Sequence, residues 1–177
     1  MHEIIRYTWG TSSLGSFLLA ASTGGIVALH FVAQGAAAED AVRARFPAAD
    51  LVLDRDGLAD VARRAAALID APEADPALEL DLRGSPYEIA VWRMLRDIPL
   101  GETTSYGTLA ARLGTRDARE VTEAIAANPL AVLVPCHRVI RKDGSVSGYR
   151  WGVWRKRALL KRERAAGCAA QPASALL

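Results

Sequence analysis

Cysteine, histidine and long apolar runs are all scarce in this sequence, and each shortage removes a class of function. Two cysteines in 177 residues, Cys136 and Cys168, allow at most one disulfide. Cys168 sits in the small-residue tail "AAGCAAQPASALL", which has little to pack with, so both are read as free thiols of a reducing compartment. Three histidines, His2, His30 and His137, form no CxxC or HxxxH pattern. No zinc signature exists, and neither a metal nor a cofactor is expected. The apolar runs "GIVALHFVA" and "LAVLVP" are far shorter than the roughly 20 residues that cross a bilayer. The N-terminal "MHEIIRYTWG" has no basic segment followed by a long apolar stretch. The expectation is a cytoplasmic monomer with no membrane partner.

An apolar content of 51% with 24% charged residues is enough to bury a core, in one domain or two small ones. The net charge of +2 conceals an asymmetry. From Glu39 to Asp81 there are eleven acids against five arginines, whereas from Arg141 to Arg164 there are nine Lys/Arg against two acids. Such a basic block attracts phosphates at long range, although a solvated basic helix reads the same way.

Short β-prone runs open the chain: "EIIRYTW", "GSFLLAAST" and "GIVALHFV", separated by Gly/Ser punctuation, predict a meander. "AEDAVRARF" and "LADVARRAAALID" carry helical spacing. "APEADP" reads as a loop, "ALELDL" as a further strand and "DLRGSP" as a linker. Ser85, Pro86 and Glu88 then form a capping box with proline where it costs no hydrogen bond. The helix that follows buries Val91, Trp92, Leu95 and Ile98, which makes Trp92 core. "SYGTLAARLG" and "AREVTEAIAAN" predict two helices around the turn "TRD", a possible helix-turn-helix that any helical hairpin would mimic. After "LAVLVP" and the Cys-His stretch come a "RKDGS" turn, the loop "VSGYRWG" and a final helix stopped near Gly167.

Cys136 lies between Pro135 and His137. A thiol with an ordinary pKa of about 8.5 is only a few per cent thiolate at neutral pH, so a nucleophilic cysteine needs a base or a positive field. His137, Arg138, Arg141 and Lys142 are all close in sequence. Neighbours in a strand point to opposite faces, however, so a direct Cys136–His137 pair requires a turn at Pro135, and otherwise a water must bridge them. Glu163, alone among the basic residues of "LLKRERAAG", is the available carboxylate to orient the imidazole. Taken alone, Cys136 reads equally as a small buried residue.

"NPLAVLVPCHRVIRKDGSVSGYRWGVWRKRALLKRE" closely resembles the active-site segment of the O6-alkylguanine-DNA alkyltransferase family, and the likeness extends upstream through "DLRGSPYEIAVWRMLRDIPLGETTSYGTLAARLG". The resemblance implies an α/β (α+β) architecture, with an N-terminal RNase-H-like domain over residues 1–83 and a mainly α winged helix-turn-helix domain over 84–166; residues 167–177, outside the resemblance, are read as a flexible tail. It implies that double-stranded DNA with alkylated bases is the partner, that the damaged nucleotide is flipped into the protein, and that Cys136 takes the alkyl group from O6-alkylguanine or O4-alkylthymine once and irreversibly. His137 draws off the thiol proton through a water, Glu163 orients it, and Tyr106 protonates the leaving guanine. Arg119 fills the gap left by the base, with Thr104, Ser105, Tyr106 and Arg138 as further DNA contacts. Asn128 and Pro135 support the site, Asn128 by tying the turn after the recognition helix to an active-site strand. The backbone of Val139 and the loop from Ser147 to Trp151, with Tyr149, Arg150 and Trp151, line the guanine pocket, and the large Trp151 ring is expected to narrow it. Glu120 and Glu123 depart from the small residues usual after the arginine, and are expected either to weaken DNA binding or to sit at the rim paired to Arg116 or Arg119. A Cys-His hydrolase and a non-catalytic helix-turn-helix regulator are the competing readings.

Overall fold

The three N-terminal runs form the expected antiparallel meander: β1 Glu3–Ser12, β2 Gly15–Ser22 and β3 Gly25–Phe31. The computed structural model describes residues 2–32, 35–74, 77–115, 117–146 and 148–170. Helix α1 (Ala36–Arg45) leads to β4 (Ala49–Leu53), which pairs parallel with β1 and gives the sheet order β3-β2-β1-β4. Ile5, Tyr7, Leu18, Ala20, Val27 and Ala28 lie on one face, the adjacent Val27 and Ala28 sharing it because the β2–β3 register shifts at Ala20/Ala21, and Ala38 and Val42 of α1 cover them. Phe17, Leu19, Ala21, Ile26 and Leu29 point to the other face and join a core shared with α2 (Ala59–Asp70) and with the C-terminal half.

β4 was not anticipated from the sequence. It is an edge strand in which Ala49 and Leu51 are half-buried and Asp50, Val52 and Leu53 exposed, so apolar residues at exposed positions leave no polar alternation in its sequence. Conversely, "ALELDL" does not form the expected strand. Only Leu80 makes an isolated bridge, to Ile26, flanked by hydrogen bonds from Ile26 N to Glu79 O and from Asp81 N to Ile26 O. Gly25 permits that approach: its φ is +133°, and a Cβ there would sit 2.7 Å from the Glu79 carbonyl oxygen.

In the C-terminal half the capping box forms as expected at the start of α3 (Pro86–Arg96), with Glu88 N on Ser85 Oγ at 3.2 Å and Ser85 N on Glu88 Oε2 at 2.7 Å. Trp92 is fully buried and donates its indole N–H to Ala124 O. Ile98 is buried just beyond the helix end. A two-residue strand β5 (Thr104–Ser105) precedes α4 (Tyr106–Arg112), and α5 (Ala118–Ala126) follows. β6 (Val139–Ile140) pairs parallel with β5, and α6 (Val153–Ala170) ends the described chain.

Gly167 does not stop that last helix, and residues 167–170 of the expected tail are helical. The physical reason is contact: the Gly167 and Gly101 backbones meet, with the site of a Gly101 Cβ 3.5 Å from Gly167 Cα. Here glycine permits a close approach instead of ending a helix. Residues 171–177 lie outside the described residues. Among the described residues no helix is long and apolar enough to cross a membrane.

Candidate active site

The segment from Leu130 to Cys136, a short apolar run in the sequence, is built from tight turns. Leu29 N donates to Pro129 O and Ala131 N to Leu29 O, so β3 grips the segment at its start. Leu133 N then closes on Ala131 O at 2.7 Å around Val132, whose φ is +66°, and Cys136 N closes on Val134 O at 2.7 Å around Pro135. The first is the γ-turn with positive central φ, which is strained for a β-branched residue. Cys136–Arg138 form one 3-10 turn. The chain therefore turns at Pro135, and the strand geometry that separates neighbouring side chains does not apply.

Asn128, just past α5, holds this corner. It is 1% exposed; its Oδ1 accepts from Leu130 N at 2.9 Å, and its Nδ2 donates to Val134 O at 3.0 Å and Cys136 Sγ at 3.2 Å. Burial pushes the Cys136 thiol up to about 11, against the Asn128 hydrogen bond and the Lys156 charge, so the resting group is a protonated thiol at neutral pH.

His137 is completely buried, with Nε2 2.6 Å from Glu163 Oε1. Burial would raise the Glu163 carboxyl, but hydrogen bonds and charge from His137 and Arg138 outweigh it and hold the group at about 2. Burial pulls the imidazole below its ordinary value, with Glu163 opposing. A carboxylate facing a neutral imidazole fixes the proton on Nε2 and leaves Nδ1 as an acceptor. His137 Nδ1 is buried and makes no hydrogen bond to the described protein, and the same holds for the Tyr149 hydroxyl.

Cys136 opens on a cavity of 410 Å³ lined by Tyr106, Ile125, Tyr149, Arg150 and Trp151 among others. Trp151 is 7% exposed and meets Tyr149 edge-on with ring centroids 5.2 Å apart. Behind the cavity lies Lys156, 1% exposed, whose Nζ donates to Val139 O at 2.6 Å and Gly148 O at 3.3 Å. Burial lowers its pKa and the neighbouring thiol raises it. It ties the pocket loop to β6, and its ammonium acts to lower the Cys136 pKa.

A family profile described as "6-O-methylguanine DNA methyltransferase, DNA binding domain" matches residues 86–165. The crystal structure of Mycobacterium tuberculosis O6-methylguanine methyltransferase is similar with TM-score 0.76 at 34% identity, covering 97% of both chains. This chain belongs to the 6-O-methylguanine DNA methyltransferase family. Another structural relative, Mycobacterium tuberculosis OGT in complex with DNA, is 35% identical with TM-score 0.71, covering 91% of this chain and 92% of that one. The Escherichia coli (strain K12) bifunctional transcriptional activator/DNA repair enzyme Ada is 42% identical over 160 residues, 90% of this chain and 45% of that protein. The chain spans about half the length of the curated relatives it matches.

Within this methyltransferase-family chain, Cys136, Tyr106, Tyr149, Arg150 and Trp151 meet at one cavity, with the His137–Glu163 pair alongside. Arg119 is exposed on the first turn of α5. Ser105 and Thr104 are half-buried, and the Ser105 hydroxyl caps α4 by accepting from Thr108 N.

Two expectations change. Arg138 turns inward rather than toward DNA: its guanidinium donates to Glu163 Oε2 and Oε1 at 2.9 and 3.0 Å and to Ile98 O at 2.5 Å. Val139 is fully buried and does not line the cavity, and its carbonyl is held by Lys156. Glu120 and Glu123 face a groove with Ser85, Tyr87 and Glu88 on the α3 side, while Thr122, Ile125 and Ala126 face the cavity. No ion pair of either glutamate with Arg119 occurs among the described residues, and Arg116 lies outside them, as does Ser147.

Lys156 was missed, hidden inside "WRKR". The signal was present: Lys156, Leu159, Leu160 and Glu163 repeat at i, i+3, i+4 and i+7 and form the buried stripe of α6.

Proposed function

We propose that the protein repairs duplex DNA by moving an alkyl group, chiefly methyl, from O6 of guanine, and from O4 of alkylated thymine, to Cys136 Sγ. The observation that carries this reading is the buried Cys136 thiol at the wall of a 410 Å³ cavity, beside a His137–Glu163 pair with its acceptor nitrogen unpaired. With a thiol pKa near 11 only about one molecule in ten thousand is ionised at pH 7. The base must therefore act in the reaction itself.

The thiol proton passes through a water to His137 Nδ1, and Glu163 stabilises the imidazolium as it forms. The sulfur attacks the alkyl carbon in line, the C–S bond forms, and the bond from that carbon to guanine O6 breaks. Tyr106 donates its phenolic proton to the departing guanine ring, which lowers the charge built up on the leaving group. A thioether has no good leaving group, so the protein acts once. Arg119 fills the space left by the flipped base. Residues 1–83 are read as an RNase-H-like domain, and α4 and α5 as the helix-turn-helix of a winged domain over 84–166. The site of action is cytoplasmic DNA.

The test is the fate of the lesion. Duplex DNA containing O6-methylguanine is incubated with limiting protein and the remaining modified base is quantified. Repair that plateaus at one lesion per protein supports the proposal. Continued turnover beyond one equivalent, or binding without loss of the lesion, contradicts it.

A further inference from the structure

His30 lies outside the Cys136 cavity, yet it is packed on the cavity's largest wall residue. It sits in β3, is 8% exposed, and its ring centroid is 6.0 Å from that of Trp151 with the planes tilted by 54°. Its Nε2 is buried without a hydrogen-bond partner among the described residues. The ring also donates to the Pro129 backbone, at the start of the segment that leads to Cys136, so the imidazole serves both that bond and the ring contact with Trp151.

The surroundings show what the ring does. Trp151 contacts two rings, Tyr149 edge-on at 5.2 Å and His30 of the N-terminal sheet at 6.0 Å. Its carbonyl accepts from Arg155 Nη1 at 2.7 Å, and the same guanidinium donates from Nε to Leu14 O at 2.9 Å and lies 5.0 Å over the Phe31 ring. The N-terminal sheet thus fixes the backbone of the pocket loop through Arg155 and its indole through His30. Burial, with the charges of Arg150 and Arg45 adding to it, holds His30 at about 4, so at neutral pH it is an uncharged packing surface that does not repel the Arg150 guanidinium, itself 5.9 Å from the Trp151 ring.

We infer that His30 is a specificity-positioning residue: by bracing Trp151 from behind, it sets the largest alkyl group that the cavity admits beside Cys136. This rests on the reading of the cavity as the lesion pocket. Without the imidazole, the indole loses the ring contact that fixes its tilt, and the wall facing Cys136 moves back.

Transfer rates from duplexes carrying O6-methylguanine or O6-benzylguanine are compared for the unaltered protein, His30→Ala, His30→Leu and His30→Phe, each alone and combined with Trp151→Ala. His30→Ala is expected to raise the benzyl-to-methyl rate ratio by about two- to tenfold, the range that loss of one aromatic contact supports. His30→Phe, which restores a ring, returns the ratio to that of the unaltered protein. With Trp151→Ala already present, His30→Ala moves the ratio by less than about twofold, because the wall being braced is gone. Should His30→Ala fail to fold, His30→Leu carries the same expectation, since it fills the core but offers no ring face. Both rates falling together at a constant ratio would mark a purely structural residue and overturn the inference while leaving the proposed function intact. Absence of methyl transfer by the unaltered protein overturns both.

Discussion

Glu163→Gln is the perturbation with the most direct physical consequence. The carboxylate is 2% exposed and accepts three hydrogen bonds, from His137 Nε2 at 2.6 Å and from the Arg138 guanidinium at 2.9 and 3.0 Å. An amide keeps the shape and loses the charge. The folded carboxyl stands at about 2 against an ordinary 4.5. A depressed carboxylate stabilises the fold above its unfolded pKa and loses that contribution as pH falls toward the folded value. The window is therefore pH 4.5 down to 2, and the full contribution above it is about 3 kcal/mol. The urea-unfolding free energies of the unaltered protein and Glu163→Gln should differ by about this amount at pH 7 and by less than half of it at pH 3. Methyl transfer should slow by about a hundredfold, the lower end of what a general base contributes, since the imidazolium loses its counter-charge. A stability gap equal at pH 7 and pH 3, or an unchanged transfer rate, would refute the reasoning.

Three further outcomes follow from the same geometry. Lys156→Met leaves the Val139 and Gly148 carbonyls without their donor and should cost about 1–3 kcal/mol in thermal unfolding. It should also shift the pH–rate profile of transfer toward alkaline pH, because a nearby positive charge is lost; an unmoved profile counts against an electrostatic role. Trp151→Ala should raise benzyl transfer relative to methyl transfer by about tenfold or more by removing the cavity wall, whereas equal selectivity before and after the change would show that the indole does not limit size. The double variant Glu120→Ala, Glu123→Ala should bind undamaged duplex about threefold tighter at low salt, with the gain shrinking as salt rises. No change in affinity would place both carboxylates outside the docking face, on the α3 side where their groove lies.

The parts of the fold with local signals were legible in sequence. The β1–β3 meander follows alternation and turn residues, and α3 follows from Ser85, Pro86 and Glu88, whose capping bonds need nothing distant. β4 was not legible, because an exposed edge strand takes its pairing from β1 and not from its own pattern. "ALELDL" erred in the opposite direction, since alternation was present and only one residue found a pairing partner. At the site, residue identities came from the family resemblance while the geometry did not. The two γ-turns before Cys136 depend on Asn128 gathering Leu130, Val134 and Cys136 around one amide. Arg138 was expected as a DNA contact, but a buried Glu163 captures it, a contact between residues 25 apart. The Lys156 stripe was readable by helical period and was masked by the basic residues around it. His30 carries no sequence signal, because its meaning lies in a ring contact across the two halves of the chain.

The central claim is that Cys136 is the alkyl acceptor, and intact-protein mass spectrometry after incubation with an O6-methylguanine duplex tests it most directly. The account predicts one methyl in place of one hydrogen per protein, mapped to the peptide containing Cys136 and absent from Cys136→Ala, with Cys168 unmodified. A methyl found elsewhere, or a protein of unchanged mass alongside repaired DNA, would contradict it.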